Sequence, residues 1–215
     1  STFKRLINHL IEKINFTFSF RDIQKNIDVG STNTVERYIN LLCNMFILTK
    51  FYRYDSEKKQ KRMDKPKKIH FHDPFFFHTL NSWTKPDESF KTSQKYLSNA
   101  VNQGSLVEGI VGDHLIRLVF HLVKKKEMYD YSNYLFYWQD ENNYEVDYVF
   151  YNGNDIEVPV EVKYTDNETK KNDIIGIINF KRVTGVKNAM LVTKRTLRIR
   201  DEYVEIPASI FLLFI

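Results

Sequence analysis

Two carboxylates and a lysine near residue 150 have the types and spacing for metal-dependent chemistry on a phosphate. Glu161 and Lys163 are separated by a single residue, and Asp147 precedes them in the chain. Magnesium and manganese prefer oxygen ligands, and magnesium usually takes one or two carboxylates together with water and substrate phosphates. A neighbouring lysine can orient an attacking water or balance charge on a phosphate. The three residues therefore predict a site for a metal ion and a phosphate, provided that the fold brings them together.

The segment that must position these residues is predicted to be a β-hairpin. Apolar side chains alternate with polar ones in residues 144–151 and again in residues 156–164. Asn152-Gly153 lies between the two runs, and this dipeptide is a strong signal for a tight turn between antiparallel strands. We therefore expect the candidate residues on two neighbouring strands.

The length of the connection decides whether the carboxylates meet. Side chains alternate along a strand, so Glu161 and Lys163 are expected on the face opposite Val160. A three-residue loop, 152–154, would pair Asp147 with Pro159 and place Asp147 diagonally beside Glu161. A two-residue loop would put the carboxylates on opposite faces, because a slip of one residue inverts a strand. The metal site requires an odd loop.

An upstream helix supplies a third candidate carboxylate. Ser105-Leu106-Val107-Glu108 has the pattern of a capping box and predicts a helix that starts at Ser105. On a helical wheel Glu108 falls at the edge of the apolar face of that helix. Glu108 is predicted either to cap its own helix or to reach the patch of Asp147 and Glu161, and the sequence leaves both open.

Several segments occur in an order that resembles a known group of proteins. They are residues 68–74, 106–108, 137–138, 145–149 and 159–164. Together they look like the C-terminal region of a large group of archaeal and bacterial AAA+ ATPases, in which a winged helix precedes a nuclease-like domain. That domain resembles the PD-(D/E)xK nuclease core, with Asp147 as the first carboxylate and Glu161-Val162-Lys163 as the ExK motif.

The resemblance implies a fold and a site. The fold is α/β (α+β), with a winged helix-turn-helix domain in residues 1–84 and a restriction-endonuclease-like αβββαβ domain with a mixed sheet in residues 85–215. The implied catalytic residues are Glu108, Asp147, Glu161 and Lys163. The three carboxylates among them would hold magnesium or manganese.

The resemblance also implies partners. It leads us to expect an ATPase module that binds ATP upstream, and these 215 residues do not contain that module, since no G-x-x-x-x-G-K-[ST] motif occurs in them. The first residue is Ser1 rather than methionine, so we expect the chain to be a fragment of a longer protein. DNA is the second expected partner, and the oligomeric state stays open.

The N-terminal region carries the pattern of a DNA-binding motif. Two helices, a turn at Gly30 and a third helix follow one another, as in a helix-turn-helix. The third helix would expose Thr34, Arg37 and Asn40. Two strands then form a predicted wing, whose basic residues are Lys58, Lys59, Lys61, Arg62, Lys65, Lys67 and Lys68.

Three interpretations of the wing stay open. A basic tip beside a duplex would contact phosphates without reading sequence. A basic run is also typical of a solvated loop. The winged helix could instead pack against the ATPase. Nearby, His70 and His72 are predicted to be structural, and Asp73 with Pro74 is predicted to start a helix.

Composition bounds the class of protein. The formal net charge is +5 and the pI is near 9, which favours polyanionic partners modestly. A lone cysteine, Cys43, excludes a disulfide framework. No run of 18 apolar residues occurs, so we expect no membrane span and a cytoplasmic location.

Three functions are consistent with these residues. The first is an enzyme that grips DNA and cleaves it with a metal ion. The second is a catalytically inactive nuclease-fold module that docks DNA or a protein partner for the ATPase. In the third, Asp147, Glu161 and Lys163 form only a structural ion-pair network.

Overall fold

A computed structural model describes residues 1–85, 88–123, 129–154 and 156–213 of the chain. These residues form eight α-helices and nine β-strands, an α/β structure whose strands pair in both parallel and antiparallel fashion. The chain forms two compact units, each built from two segments. Unit 1 comprises Ser1–Lys50 and Asp64–Ile110, and unit 2 comprises Phe51–Met63 and Val111–Ile215.

Unit 1 is mainly helical. Its complete helices are α1 (Thr2–Glu12), α2 (Phe20–Asn26), α3 (Thr32–Asn44), α4 (Pro74–Thr84) and α5 (Ser89–Leu97). The apolar residues that recur at helical spacing in α1 and α3 turn inward, and the core includes Leu6, Ile7, Leu10, Ile23, Val35, Ile39 and Leu42. The helices predicted in this region are confirmed.

Side-chain caps fix where these helices begin. Ser19 and Asp22 form a capping box at the start of α2, with the Ser19 hydroxyl accepting a bond from the Asp22 backbone N–H. Asp73 caps α4 by accepting a bond of 2.6 Å from the Phe75 backbone N–H, and Pro74 is the first helical residue. The start of α4 was predicted correctly.

Two long strands contribute residues to both units. They are β2 (Leu48–Asp55) and β3 (Gln60–Phe71), and the tip between them belongs to unit 2. In unit 1 the short strand β1 (Thr17–Phe18) pairs antiparallel with β3, with Thr17 opposite Lys68. In unit 2 the outer part of β2 pairs parallel with β4 (Leu135–Gln139), with Arg53 opposite Tyr137.

The long helix α6 (Ala100–Leu122) begins five residues before the predicted start at Ser105. Asn99 caps it, because its side-chain oxygen accepts a bond of 2.8 Å from the Val101 backbone N–H. Ser105 and Glu108 therefore lie inside the helix, where backbone N–H groups already have helical partners. The predicted capping box is wrong, and with it the explanation of Glu108 as a cap.

Unit 2 is a sheet with helices. In chain order α6 is followed by β4, β5 (Glu145–Tyr151), β6 (Glu157–Lys163), α7 (Ile175–Thr184), β7 (Met190–Thr193), β8 (Arg198–Ile199), β9 (Val204–Pro207) and α8 (Ala208–Leu213). The strands β4, β5 and β6 are antiparallel, whereas β6, β7 and β9 are parallel. The segment predicted as a strand in residues 209–215 is helical as far as Leu213, and its last two residues lie outside the described part.

The hairpin of β5 and β6 has an odd connection, but its register differs from the predicted one. Tyr151 pairs with Glu157 and Tyr148 pairs with Val160, so the connection spans residues 152–156. Pro159 pairs with Val149 rather than with Asp147. Continued by one residue, this register places Asp147 opposite Glu161. A shift of two residues keeps the side chains of β6, and those of β5 from Tyr148 to Tyr151, on their predicted faces.

A β-bulge lies at Asp147. Phe136 of β4 pairs with Val149, whereas Trp138 pairs with Val146, so β5 has one more residue than β4 between these pairs. Asp147 and Tyr148 together therefore face Tyr137. Bulges bend a strand and re-aim side chains, and they are frequent next to functional sites.

Helices cover the two faces of this sheet. Leu115 and Leu118 of α6 line an apolar pocket of about 340 Å³ together with Val158 and Val160. The unit 2 part of α6 therefore lies on the Val160 side of the sheet. Gly176 of α7 approaches the Glu145 backbone so closely that an added Cβ would lie 1.9 Å from the carbonyl oxygen.

Candidate functional site

Asp147 and Glu161 are joined by reciprocal contacts at the end of the hairpin ladder. The Asp147 backbone N–H donates to Glu161 Oε2 over 3.2 Å, and the Val162 backbone N–H donates to Asp147 Oδ2 over 2.9 Å. Each strand thus uses a carboxylate to accept a bond from its neighbour's backbone. The two carboxylates are brought together as the odd connection required.

Lys163 completes this cluster. Its ammonium group lies 2.6 Å from Glu161 Oε1, as expected for side chains two residues apart on one strand. The Lys163 side chain is 36% exposed, whereas Asp147 and Glu161 are 8% and 6% exposed. The two carboxylates of the cluster are therefore buried, whereas the ammonium group of Lys163 is accessible to solvent.

The chemistry of this cluster suits a hard cation. It offers two carboxylates and the Val162 backbone, and a magnesium ion commonly takes no more than two carboxylates from the protein. Among the residues that the structure describes, no group of three or more histidine, cysteine, aspartate or glutamate side chains is placed to hold a metal ion. The role of Glu108 as a third ligand stays a prediction.

Glu108 lies in a polar cluster with other residues of unit 1. Its carboxylate lies 2.6 Å from the Lys68 ammonium and accepts a bond of 3.1 Å from the Asn15 amide. Asn15 also contacts His70 Nδ1 at 2.5 Å and donates to the Ser105 carbonyl. Lys68 and His70 are each 1% exposed. His70 is thus a buried hydrogen-bonded residue in this structure.

The tip of the predicted wing is held by acidic residues of unit 2. Lys59 lies 2.9 Å from Glu157, and Lys61 lies 3.3 Å from Asp130. Burial opposes ionisation of Asp130, but bonds from Ser132 and the charge of Lys61 hold the pKa of this carboxyl below its usual value. These lysines are thus neutralised by acids that lie far from them in sequence.

The remaining wing residues have differing surroundings. Arg62 lies 3.5 Å from Asp55, whose pKa is lowered first by a bond from the Lys58 backbone. Lys58 is exposed, whereas Lys65 is half-buried. Burial and the charge of Lys50 lower the pKa of Lys67. Lys68 is excluded from the predicted DNA surface, because its burial against Glu108 keeps it from phosphates.

The predicted DNA-contacting face of α3 is accessible. Thr34, Arg37 and Asn40 line one groove together with Tyr38, Leu41 and Asn44. The Asn40 side chain accepts a bond of 2.8 Å from the Lys50 ammonium, which adds positive charge beside the groove. The contact of these residues with DNA stays a prediction.

A long run of basic residues near the C-terminus was missed by the sequence interpretation. Residues 174–200 contain seven lysines and arginines and no acidic residue. Within them Thr193 of β7 lies directly beside Lys163 of β6. This run of charge was a readable signal, but only the sheet register shows that it adjoins the candidate site.

Comparisons with known proteins identify families without a described activity. A family model described as "Domain of unknown function (DUF4143)" matches residues 103–211, and one described as "Domain of unknown function (DUF8612)" matches residues 1–87. Domains of the first kind are found in proteins associated with AAA ATPases. No curated protein and no solved structure matches the chain. No helix in the described ranges is long and apolar enough to cross a membrane.

Proposed function

The chain belongs to the family of the domain of unknown function DUF4143, and we propose that it is a DNA-binding, nuclease-like module that acts with an AAA+ ATPase. In this proposal unit 2 has the PD-(D/E)xK fold and cleaves a phosphodiester of DNA with a metal ion. The proposed catalytic residues are Asp147, Glu161 and Lys163. Unit 1 acts as the winged helix-turn-helix part.

One observation carries the proposal. Asp147 and Glu161 come from different strands, yet each contacts the other strand's backbone at 3.2 Å or less, and Lys163 lies 2.6 Å from Glu161. The β-bulge at Asp147 is the kind of local distortion that re-aims a side chain at a site. Two buried carboxylates beside an accessible ammonium form an arrangement suited to a cation and a phosphate.

The roles of the residues follow from their chemistry. Asp147 and Glu161 would hold magnesium or manganese, which polarises a phosphoryl group and makes bound water more acidic. Lys163 is accessible enough to exchange its contact with Glu161 for one with a phosphate oxygen. A lysine ammonium on a flexible stem is suited to such a change of partner.

The order of elements in each unit supports the fold assignment. The helices α1 to α3 of unit 1 precede the strands β2 and β3, which contribute residues to both units, in the order of a winged helix-turn-helix. In unit 2 the elements α6, β4, β5, β6, α7 and β7 follow the αβββαβ order of the nuclease fold. Fold alone does not imply activity, so the proposal depends on the site.

A second candidate function is favoured by the same hydrogen bonds. Asp147 and Glu161 each accept a backbone N–H, so they stabilise the end of the hairpin whether or not a metal binds. An inactive module that docks DNA or a protein partner for the ATPase would keep these residues for stability. The two candidates differ in whether wild-type protein cleaves any substrate.

A cleavage assay separates them. Wild-type protein is incubated with linear, nicked and branched DNA in magnesium, in manganese and in EDTA. Asp147→Asn and Lys163→Gln are compared with Glu141→Gln and Lys187→Gln, which make the same changes at exposed positions of unit 2. Folding is checked by circular dichroism and urea denaturation.

The proposal expects metal-dependent cleavage by wild type and by both control variants, and loss of cleavage in both site variants. Cleavage at the wild-type rate in either site variant would overturn the assignment of that residue. If wild-type protein binds DNA but cuts none of the substrates with either metal, the inactive docking module is the better description.

A further inference from the structure

The segment of residues 194–200 is strongly basic and lies between β7 and β9. It contains Lys194, Arg195, Arg198 and Arg200 and no acidic residue. Its second half includes the short edge strand β8. We call residues 194–200 the basic segment. The proposed catalytic residues are not part of it, so its charge needs a separate explanation.

Sheet register places the basic segment next to the candidate site. Strands β6 and β7 are parallel, and Lys163 is the register partner of Thr193, the last residue of β7. Neighbouring strands lie about 4.8 Å apart. The basic segment therefore starts one strand from Lys163, at the edge where the carboxyl ends of β6 and β7 meet. In open α/β sheets, ligands bind at such edges.

Local contacts hold the start of the basic segment in place. The Thr193 hydroxyl donates to the Thr196 carbonyl over 2.8 Å and accepts from the Thr196 backbone N–H over 3.0 Å. The Lys194 ammonium lies 2.5 Å from Asp166 and 5.4 Å from the centre of the Tyr164 ring. A bond from Lys194 lowers the pKa of Asp166. Lys194 thus has a positioning role.

Two arginines of the basic segment are presented to solvent. The Arg195 side chain is 82% exposed, and its contact with Asp166 is 3.6 Å long. Arg198 is exposed and is flanked by Leu197 and Ile199, which are 64% and 84% exposed. An exposed ion pair contributes little to stability, so Arg195 can exchange Asp166 for another anion.

We propose that Arg195 and Arg198 bind phosphates of a nucleic acid strand that runs from Lys163 past the end of β7 toward β8. Guanidinium groups match phosphate oxygens with paired N–H donors. The basic segment would then guide the strand across the ends of β6 and β7. This inference rests on the proposed function only in taking nucleic acid as the ligand, and it does not require cleavage.

Arg200 has a different role. Its guanidinium lies 3.4 Å from Glu205, whose side chain is 1% exposed. Removing Arg200 would leave a buried carboxylate with less compensation, so a loss of binding in such a variant could reflect misfolding. The test therefore uses Arg195 and Arg198.

The experiment measures binding in EDTA, where cleavage is prevented. A fluorescent DNA duplex and the matching single strand are titrated with wild type, with Arg195→Gln/Arg198→Gln, and with Arg182→Gln/Lys187→Gln. The control pair removes two exposed charges of the same unit outside the basic segment. Anisotropy is recorded over a range of potassium chloride concentrations.

The expected result is a fall of about 1.8 in the slope of log affinity against log salt for the Arg195/Arg198 variant on duplex, since each phosphate contact contributes about 0.9. The control pair is expected to change it by less than about 0.5. Equal changes in both variants would overturn the inference, because only net charge would then matter. If the slope changes in neither variant, the inference is also overturned, and the arginines would instead protect the exposed edge strand β8 from pairing with other chains.

Failure of the proposed function has its own signature. If wild-type protein binds DNA through Arg195 and Arg198 but cleaves nothing with magnesium or manganese, this inference stands and the proposed catalytic function is wrong. If the protein cleaves DNA and its DNA binding does not change when both arginines are replaced, only this inference is wrong. If the protein binds neither duplex nor single-stranded DNA, both the proposed function and this inference are wrong.

Discussion

Two lysine–glutamate pairs in this molecule have the same separation and different surroundings. Lys68 and Glu108 lie 2.6 Å apart in unit 1, and Lys163 and Glu161 lie 2.6 Å apart in unit 2. The Lys68 side chain is 1% exposed, whereas that of Lys163 is 36% exposed. We call them the buried pair and the open pair.

The difference shows that exposure of the cation, rather than the distance, separates a structural pair from a candidate site. A buried ammonium cannot leave its carboxylate without a large desolvation penalty. An accessible ammonium is solvated on one side and can change partners. In unit 1 the carboxylate of Glu108 pairs with Lys68, and in unit 2 the carboxylate of Glu161 pairs with Lys163.

The largest effect is expected from breaking the buried pair. Glu108→Ala leaves the Lys68 ammonium in the core without its nearest carboxylate, and loss of one partner of a buried pair typically lowers the free energy of unfolding by about 3–5 kcal/mol. Urea denaturation measures this change. Glu161→Ala should have a smaller effect, about 1–3 kcal/mol, because Lys163 can turn to water and the main loss is the acceptor of the Asp147 backbone N–H.

A double variant sharpens this test. Lys68→Met with Glu108→Leu removes both charges and should restore most of the stability lost in Glu108→Ala, since apolar replacement of a buried pair is often neutral. Equal losses for Glu108→Ala and Glu161→Ala would contradict the distinction between the two pairs.

The next effect concerns cleavage. Asp147→Asn and Lys163→Gln should each reduce the rate of metal-dependent DNA cleavage by at least about 100-fold, because stabilisation of transition-state charge in a metal site is worth several kcal/mol. Lys68→Met should reduce cleavage only in proportion to the folded fraction. The cleavage rates of all three variants are measured by single-turnover kinetics at a temperature where every variant is folded.

If folded Lys68→Met protein were as inactive as Lys163→Gln, the buried pair would take part in function after all. That result would support the predicted role of Glu108 in the metal site.

A smaller effect tests how the strand that carries Asp147 is held. Gly176→Ala would place a methyl group against the Glu145 carbonyl, and such overpacking usually lowers the free energy of unfolding by about 1–3 kcal/mol. We also expect weaker cleavage, because β5 would shift with Glu145. Gly30→Ala is the control, since nothing lies within 4 Å of its added Cβ. Equal behaviour of the two variants would show that α7 tolerates the change.

The smallest effect is expected at the wing tip. Changing Lys59, Lys61 and Arg62 to glutamine would flatten the salt slope of DNA binding by about 2.7 if all three residues contacted phosphates. Because acids of unit 2 already pair with them, we expect a change below about 1, together with lower stability. A change near 2.7 would show that these ion pairs open when DNA binds.

The sequence predicted which residues of the hairpin meet better than it predicted the surroundings of the wing. Parity along strands is a local property, so an odd connection was enough to bring Asp147 and Glu161 to one place even though the register was off by two residues. The charge of the wing was also plain from the sequence. Its neutralisation by Asp130 and Glu157 was not, since those acids lie far away in the chain.

Helix boundaries and short apolar runs show a second limit. Ser105 and Glu108 have capping-box spacing, but the helical pattern continues upstream to Asn99, whose side chain provides the cap. Residues 209–213 are mostly apolar, and periodicity cannot assign so short a run to helix or strand. Their helical state follows from packing against the sheet, where Phe211 is buried.

The sequence by itself determined the start of α4, the amphipathic helices of unit 1 and the face of β6 that carries Glu161 and Lys163, because these features depend on neighbours a few residues apart. Only the tertiary structure decided which cation pairs with Glu108, which lysines of the wing are neutralised, and that the basic segment adjoins Lys163. Electrostatic partners and burial are set by residues distant in the chain, and these decide whether a charge is structural or available to a ligand.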